Sequence, residues 1–433
     1  MKKNTFKNIM YSSAMLATIV MGTGCSKDYA DPNNPTTESA FSTVRGITAV
    51  SVGLQRIYTA GRASNLYNRV TIDGFTTNQF IIVNRGNTAE DQLERGGAIV
   101  DGTNTMLLGL WTSSNKIIYD ADNVLEAAAN IGDKGYQSGL IGYTTIFKAL
   151  ALGDLAMFWE KIPDGNGQNV AFINRVDGFN RAVTEIDKAL NAIAANPISS
   201  SFAANIPAGV DITNTLRALK ARFLLFAGKY AEALTAANTV DLTRKSTFNF
   251  DGVTPNSIFE TATATNNVYQ PIDSTLGLLG ALKPDLADKR VPFYTTISAS
   301  LPRFRIKGFA DANTAQFPLF LPGEITLIRA ECLARQSSPD LAGAQAALNS
   351  VITKTTDLYG VAAGLPPITD PLTQSQLLDQ IYRNRCIELY MSGLKLEDMR
   401  RFGRPDSEKR RNLMPYPFRE RDNNPNTPAD PPF

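Results

Sequence analysis

A chain of 433 residues that is 43% hydrophobic and 19% charged can bury a large core, which excludes a disordered chain or a small disulfide-stapled scaffold. Its 43 basic and 41 acidic side chains leave a formal charge of +2, so no field draws in nucleic acid and none is expected as a partner. The sequence has no histidine, which removes His-based triads, His general bases and His-ligated zinc together.

Lys2, Lys3 and Lys7 precede a mostly apolar run, Ile9 to Met21, that is too short to span a bilayer as a mature helix. Gly22, Thr23 and Gly24 then lead into Cys25. A basic start, an apolar middle and a small-residue end read as a secretory signal. A cysteine directly behind them resembles a bacterial lipoprotein signal, in which the thiol is acylated and the chain is cut before it. The expectation is a signal over 1–24, lipidation at Cys25, a polar tether over 25–38 and a single domain over 39–433. Cleavage there removes three lysines and no acid, leaving a near-neutral body held to a membrane by lipid.

Apolar residues recur at helical spacing from Ser39 to Ala60. Periodicity is then lost over 61–104, a stretch rich in Asn, Gly, Thr and Arg, which reads as a long loop, functional or disordered. Helices resume through Leu107–Leu125, Tyr143–Phe158 and Phe179–Ile193, and again through Thr215–Phe226 and Ala231–Val240. Ala218 to Asn238 resembles a tetratricopeptide unit, with small Ala221 and Ala233 at a close helix approach and Gly228 at the turn. Glu324 to Ile352 repeats that scheme less faithfully. Between them, 241–321 breaks the pattern with aromatic residues among Thr, Asn and Pro, and either short strands or a small irregular lobe is expected there.

Ser375 to Arg404 carries the strongest pattern. Leu378, Ile381, Tyr382, Cys386, Leu389 and Tyr390 form an apolar stripe, Gly393 ends the helix, and Leu396, Met399 and Phe402 start a second one. The buried side of this hairpin is interrupted by Arg383, Arg385, Glu388, Asp398, Arg400 and Arg401. Cys332, on the first helix of Glu324 to Ile352, and Cys386, on this hairpin, lie beside apolar neighbours and read as small buried side chains, with a bridge left open by the sequence.

Four stretches together resemble the SusD/RagB family of nutrient-binding lipoproteins: the signal ending at Cys25, Trp111 with Tyr119 to Leu125, Lys148 to Pro163, and Ile387-Glu388-Leu389 through Asp398-Met399-Arg400-Arg401-Phe402-Gly403. The ending from Met414 to Asn426 is similar too. The sequence departs from the family pattern at Phe402, where tryptophan is usual. The resemblance implies a mostly α fold: a helical body built on tetratricopeptide-like hairpins, with ligand-facing irregular segments at 61–104 and 241–321. It also implies a surface-exposed protein of the outer membrane that captures an oligosaccharide for a SusC-like TonB-dependent transporter. The competing reading is a lipid-anchored helical scaffold that binds an envelope protein.

Glu388 and Asp398 invite comparison with the carboxylate pair of a glycosidase. Arginines at helical spacing around them make charge-assisted hydrogen bonds between helices the better account. No phosphate loop, calcium loop or metal cluster is legible, so neither an enzyme nor a cofactor is expected. Sugars stack on aromatic faces and satisfy their hydroxyls with amides and guanidinium groups. Loops on a rigid scaffold are where such groups concentrate, which selects Tyr67, Asn78, Phe80, Arg85, Tyr269 and Tyr294. Trp111 and Trp159, on helices among apolar neighbours, read as core.

Overall fold

The computed structural model describes residues 40–265 and 267–433. The signal, Cys25 and the tether lie outside the described residues. The chain divides at Gly46 into two units; the first contributes, among its described residues, the start of helix α1 (Val44–Thr59), and everything below concerns the second, Ile47–Phe433.

Helices dominate, as expected. Their starts follow from capping side chains that satisfy the first free amides. Helix α2 (Asn65–Thr76) is capped by Ser64; after α3 (Thr88–Arg95), α4 (Thr105–Ala128) is capped by Asn104 and α5 (Lys134–Phe158) by Asp133. Beyond α6 (Arg175–Ala195), α7 (Ile212–Phe226) is capped by Asp211 and runs into α8 (Tyr230–Asn238). Gly228, at φ 75°, makes the turn between them in a conformation that side-chain-bearing residues avoid. Then come α9 (Pro322–Arg335), α10 (Leu341–Ile352), α11 (Gln374–Glu388) with a Thr373–Gln376 capping box, α12 (Lys395–Arg401) and α13 (Phe418–Asn423).

From α4 to α10 each helix packs on the next, and α11 covers both α9 and α10. This is the stacking that tetratricopeptide-like hairpins need to bury their faces. Ala221 and Ala233 are fully buried where α7 meets α8. Leu327, Ala330, Leu348 and Ile381 share one core cluster that α9, α10 and α11 close together. Helix α5 has the length and composition to cross a membrane, but 94% of its apolar window is buried inside the protein. At Gly153 a Cβ would stand 2.4 Å from the Phe223 ring, so α5 and α7 approach closely only because that position is bare.

The expectation of one long loop over 61–104 is corrected. The segment holds α2 and α3, and every residue of α2 is buried. Its periodicity is invisible because the buried side chains include Asn65, Asn68, Arg69, Thr71 and Asp73, which bond to neighbours instead of avoiding them. The short strands expected in 241–321 are present. Strand β1 (Phe80–Ile82) pairs antiparallel with β5 (Tyr269–Pro271), Phe80 facing Pro271 and Ile82 facing Tyr269. That pairing joins the two irregular segments. Strands β2 (Lys161–Pro163) and β3 (Phe172–Asn174) form a hairpin after α5, while β4 (Thr247–Phe248) pairs with β8 (Phe317–Pro318) and β6 (Thr295–Ile297) with β7 (Phe304–Ile306). The tail lies ordered across the body: Met414 N donates to Phe158 O and the Trp159 indole donates to Pro415 O at 2.9 Å.

Candidate functional site

The aromatic residues selected from the loops are core. Tyr67 and Tyr269 are fully buried, and Phe80 and Tyr294 nearly so. Phe80 stacks on Tyr269 with centroids 4.5 Å apart, Phe75 meets Tyr269 edge-on at 5.4 Å, and Tyr294 meets Tyr390 at 5.7 Å. Their hydroxyls are spoken for: Tyr67 donates to Glu90 Oε1, Tyr269 shares a hydrogen bond with Thr71, and Tyr294 donates to Glu388 O at 2.5 Å. Burial pushes all three phenols above their ordinary range, so they stay neutral. None has a face left for a soluble ligand. Asn78, at φ 59°, uses its amide to hold Glu408 O at 2.9 Å, and Arg85 bridges Asp91 and Glu94. The six do not form a site, because strand pairing of β1 with β5 turns the aromatic residues of both segments inward on one another.

A cleft of about 590 Å³ lies elsewhere, between α4, the β2–β3 turn and α13. That is the size of an ordinary ligand pocket. Leu108, Trp111, Thr112, Asn115, Lys116 and Tyr119 line it from α4. Their spacing of three and four residues puts them on one helix face. The turn 163–170 supplies Asn166, Gln168 and Asn169, its backbone bent by Gly167 at φ 132° and Asn169 at φ 52°. Arg419, Glu420 and Asn423 of α13, with Asn424 just after it, close the cleft.

The walls are tied to one another. Trp111 Nε1 donates to Glu420 Oε2, and Asn424 Nδ2 donates both to Glu420 Oε1 and to Val170 O at 3.0 Å. Asn426 Nδ2 reaches Asn169 O at 2.7 Å, and Asn166 Nδ2 reaches Asp122 at 2.7 Å. The Trp111 ring is held against Trp159, Tyr416 and Phe172, so it is buried as expected and gives the cleft only an edge. Tyr119 differs: it is 52% exposed and lines the cleft. The result is one open aromatic face among amide side chains, which suits a polyhydroxylated ligand with apolar ring faces. Among the described residues no group of three or more Cys, Asp or Glu is placed to hold a metal ion.

Residues 307–430 match the SusD family. That stretch of the chain is similar to the family's members. The search of curated proteins finds no match. Solved structures share the fold across nearly the whole chain. A SusD superfamily protein from Bacteroides vulgatus superposes with a TM-score of 0.70 at 15% identity, over 90% of this chain and 99% of that one. A SusD-like carbohydrate binding protein from Bacteroides fragilis gives 0.64 at 14% identity, over 84% of this chain and 87% of that one. A laminarin binding SusD-like protein gives 0.60 at 13% identity, over 92% of this chain and 100% of that one.

The stretch matched to the SusD family contains the charged hairpin, and the geometry answers the question of a carboxylate pair. Arg385 grips Asp398 with two hydrogen bonds of 2.9 and 3.0 Å, tying α11 to α12. Arg401 grips Glu331 on α9 in the same bidentate way and also donates to Asp398. Glu388 accepts from Lys354 at 2.5 Å and from Arg290 at 3.3 Å. Asp398 is held below the ordinary carboxylate range by Arg385 and Arg401 against the opposing effect of burial. These acids are saturated structural anchors away from the cleft. Cys332 and Cys386 are both free and buried.

Proposed function

We propose that this chain is a nutrient-binding lipoprotein of the outer-membrane surface, holding an oligosaccharide in the Tyr119 cleft for delivery to a SusC-like TonB-dependent transporter. The observation that carries the binding role is the exposed Tyr119 ring set among Asn115, Asn166, Asn169 and Asn423 in a cleft of ligand size. The carbohydrate and laminarin binding of the similar proteins supports the ligand class. Binding without turnover follows from the lining. Glu420 is the one carboxylate among the described residues of the cleft, and both its oxygens accept hydrogen bonds from the protein. Glycoside hydrolysis needs two carboxyl groups across the sugar. The anchor rests on Cys25 and its flanking sequence.

The test for binding is calorimetry of the purified body against an oligosaccharide panel, with Tyr119→Ala beside the wild type. Binding weakened by about tenfold in the variant supports the site; no binding by the wild type gives the lead to the scaffold reading. The test for the anchor is mass spectrometry of the N-terminus with protease shaving of intact cells, in wild type and Cys25→Ala. An unmodified terminus on a protease-protected protein would sink the surface-capture role.

A further inference from the structure

The charges of the cleft are uneven once their partners are counted. Glu420, the acid in its lining, has one oxygen on the Trp111 indole and the other on the Asn424 amide. Lys116 is paired with Asp120 one helical turn along, at 2.7 Å. Asp122 beside the rim is taken by Lys148 and by Asn166. Arg419 stands apart. It is exposed, it lines the cleft, and among the described residues its guanidinium has neither an ion pair nor a hydrogen bond. Its neighbour two residues on, Arg421, is already engaged with Asp430. The cleft therefore presents an open aromatic face, a set of amides and one uncommitted cation whose planar fork matches a carboxylate or a sulfate.

We propose that the ligand of this cleft is an acidic oligosaccharide, its anionic group received by Arg419 while a neighbouring ring packs on Tyr119. This rests on the oligosaccharide reading above. The chemistry is shared by uronic acids and sulfated sugars, and the probes separate the two. Oligogalacturonate and its methyl ester carry the same rings and linkages with and without charge; a sulfated galactan oligosaccharide and its desulfated form do the same for sulfate. The experiment titrates the full soluble body with all four, in wild type, Arg419→Gln and Tyr119→Ala.

The expected result is that one acidic probe binds about tenfold or more tightly than its neutral counterpart at low salt, as one charge-assisted contact allows. Arg419→Gln should erase that preference, and added salt should reduce it in the wild type. Tyr119→Ala should weaken acidic and neutral forms alike. Equal affinity of wild type for charged and neutral partners overturns the acidic ligand and leaves the oligosaccharide reading standing. A preference that survives in Arg419→Gln overturns the assignment to Arg419. Absence of binding to all four probes and to the wider neutral panel overturns both.

Discussion

The indole Nε1 of Trp111 donates to Oε2 of Glu420 at 3.0 Å, joining a helix near the start of the fold to one in its last turn of chain. The same carboxylate receives Asn424, which in turn holds the Val170 carbonyl, so one acid fixes two of the three cleft walls. Glu420→Ala should release α13 from α4 and cut affinity for any cleft ligand by at least tenfold. The stability cost should be modest, about 1.5–3 kcal/mol, typical of a hydrogen bond to a charged group. Glu420→Gln keeps an acceptor for the indole and should recover most of both. Calorimetry and urea denaturation on the pair of variants read the two effects; equal loss in Ala and Gln would mean that charge, not geometry, matters there.

Arg290 and Lys354 converge on Glu388, and its side chain and that of Arg290 have no exposure at all. Removing one partner of a buried pair leaves the others uncompensated, which costs about 3–5 kcal/mol. Glu388→Gln keeps the shape and loses the charge, so its unfolding free energy from urea denaturation should fall by an amount near the lower end of that range. The cleft lies elsewhere, so ligand affinity should not change. A Glu388→Gln protein that binds less tightly while melting normally would return this carboxylate to the list of functional groups.

The two tests draw on parts of the molecule that were unequally legible in the sequence. The charged hairpin could be read, because Leu378 to Tyr390 repeats at helical spacing and its arginines and acids fall on the same faces. The stacked pairs from α4 to α10 could be read for the same reason. Helix α2 could not: Asn65 and Asp73 are buried with hydrogen-bond partners and Arg69 beside the Asp154 carboxylate, and periodicity of hydrophobicity is blind to that. The cleft could not be read either. Its aromatic residues were visible, but Tyr119 sits on a helix face whose other members, Asn115 and Lys116, look like ordinary solvated polar residues. Its other walls come from a turn and a tail distant in sequence. The one available signal was the run 108, 111, 112, 115, 116, 119, a second helical stripe of mixed chemistry beside the apolar one. The preference for aromatic residues in loops failed because β1 and β5 pair and pull Phe80 and Tyr269 into the core.

Asp73 gives a pH dependence with a definite sign. It is fully buried, its oxygens accept from Leu396 N at 2.6 Å and from Gln79 Nε2 at 3.0 Å, and burial lifts its pKa from 3.8 to about 6. A carboxyl raised on folding binds its proton more tightly in the folded state. Its contribution is therefore fully present below about pH 4 and is lost as pH rises through about 6. The loss is up to about 3 kcal/mol for a shift of this size. Asp73→Asn cannot ionise and keeps an oxygen for Leu396, but sets its own amide against that of Gln79, which Met391 N holds in place; that cost does not vary with pH. Its stability relative to wild type should rise between pH 4 and pH 7, whatever its offset at pH 4. Urea titrations at half-unit steps measure the difference, and a flat difference would show that Asp73 titrates normally. Asp154, also lifted to about 6 by burial, shares the direction but sits 3.7 Å from buried Arg69, so its amide variant would confound charge loss with a stranded cation.

Gly323 supports the same anchor from the other side. It opens α9, and a Cβ placed on it would stand 1.9 Å from Oε1 and 2.5 Å from Cδ of Glu388. No rotamer adjustment is free to relieve this, because that carboxylate is pinned by Lys354 and Arg290 and both cations are themselves enclosed. Overpacking a core ordinarily costs about 1–3 kcal/mol. Here the clash also displaces a buried ion pair, so Gly323→Ala should be at least as damaging as Glu388→Gln. The two effects act on one contact and should not add: in the double variant the total loss should fall short of the sum by about 1 kcal/mol or more, as coupled neighbours do. Urea denaturation of the two single variants and the double variant closes the cycle. Strict additivity would mean that the helix shifts to accept the methyl group without disturbing Glu388, and that the close approach of α9 to α11 is tolerant rather than required.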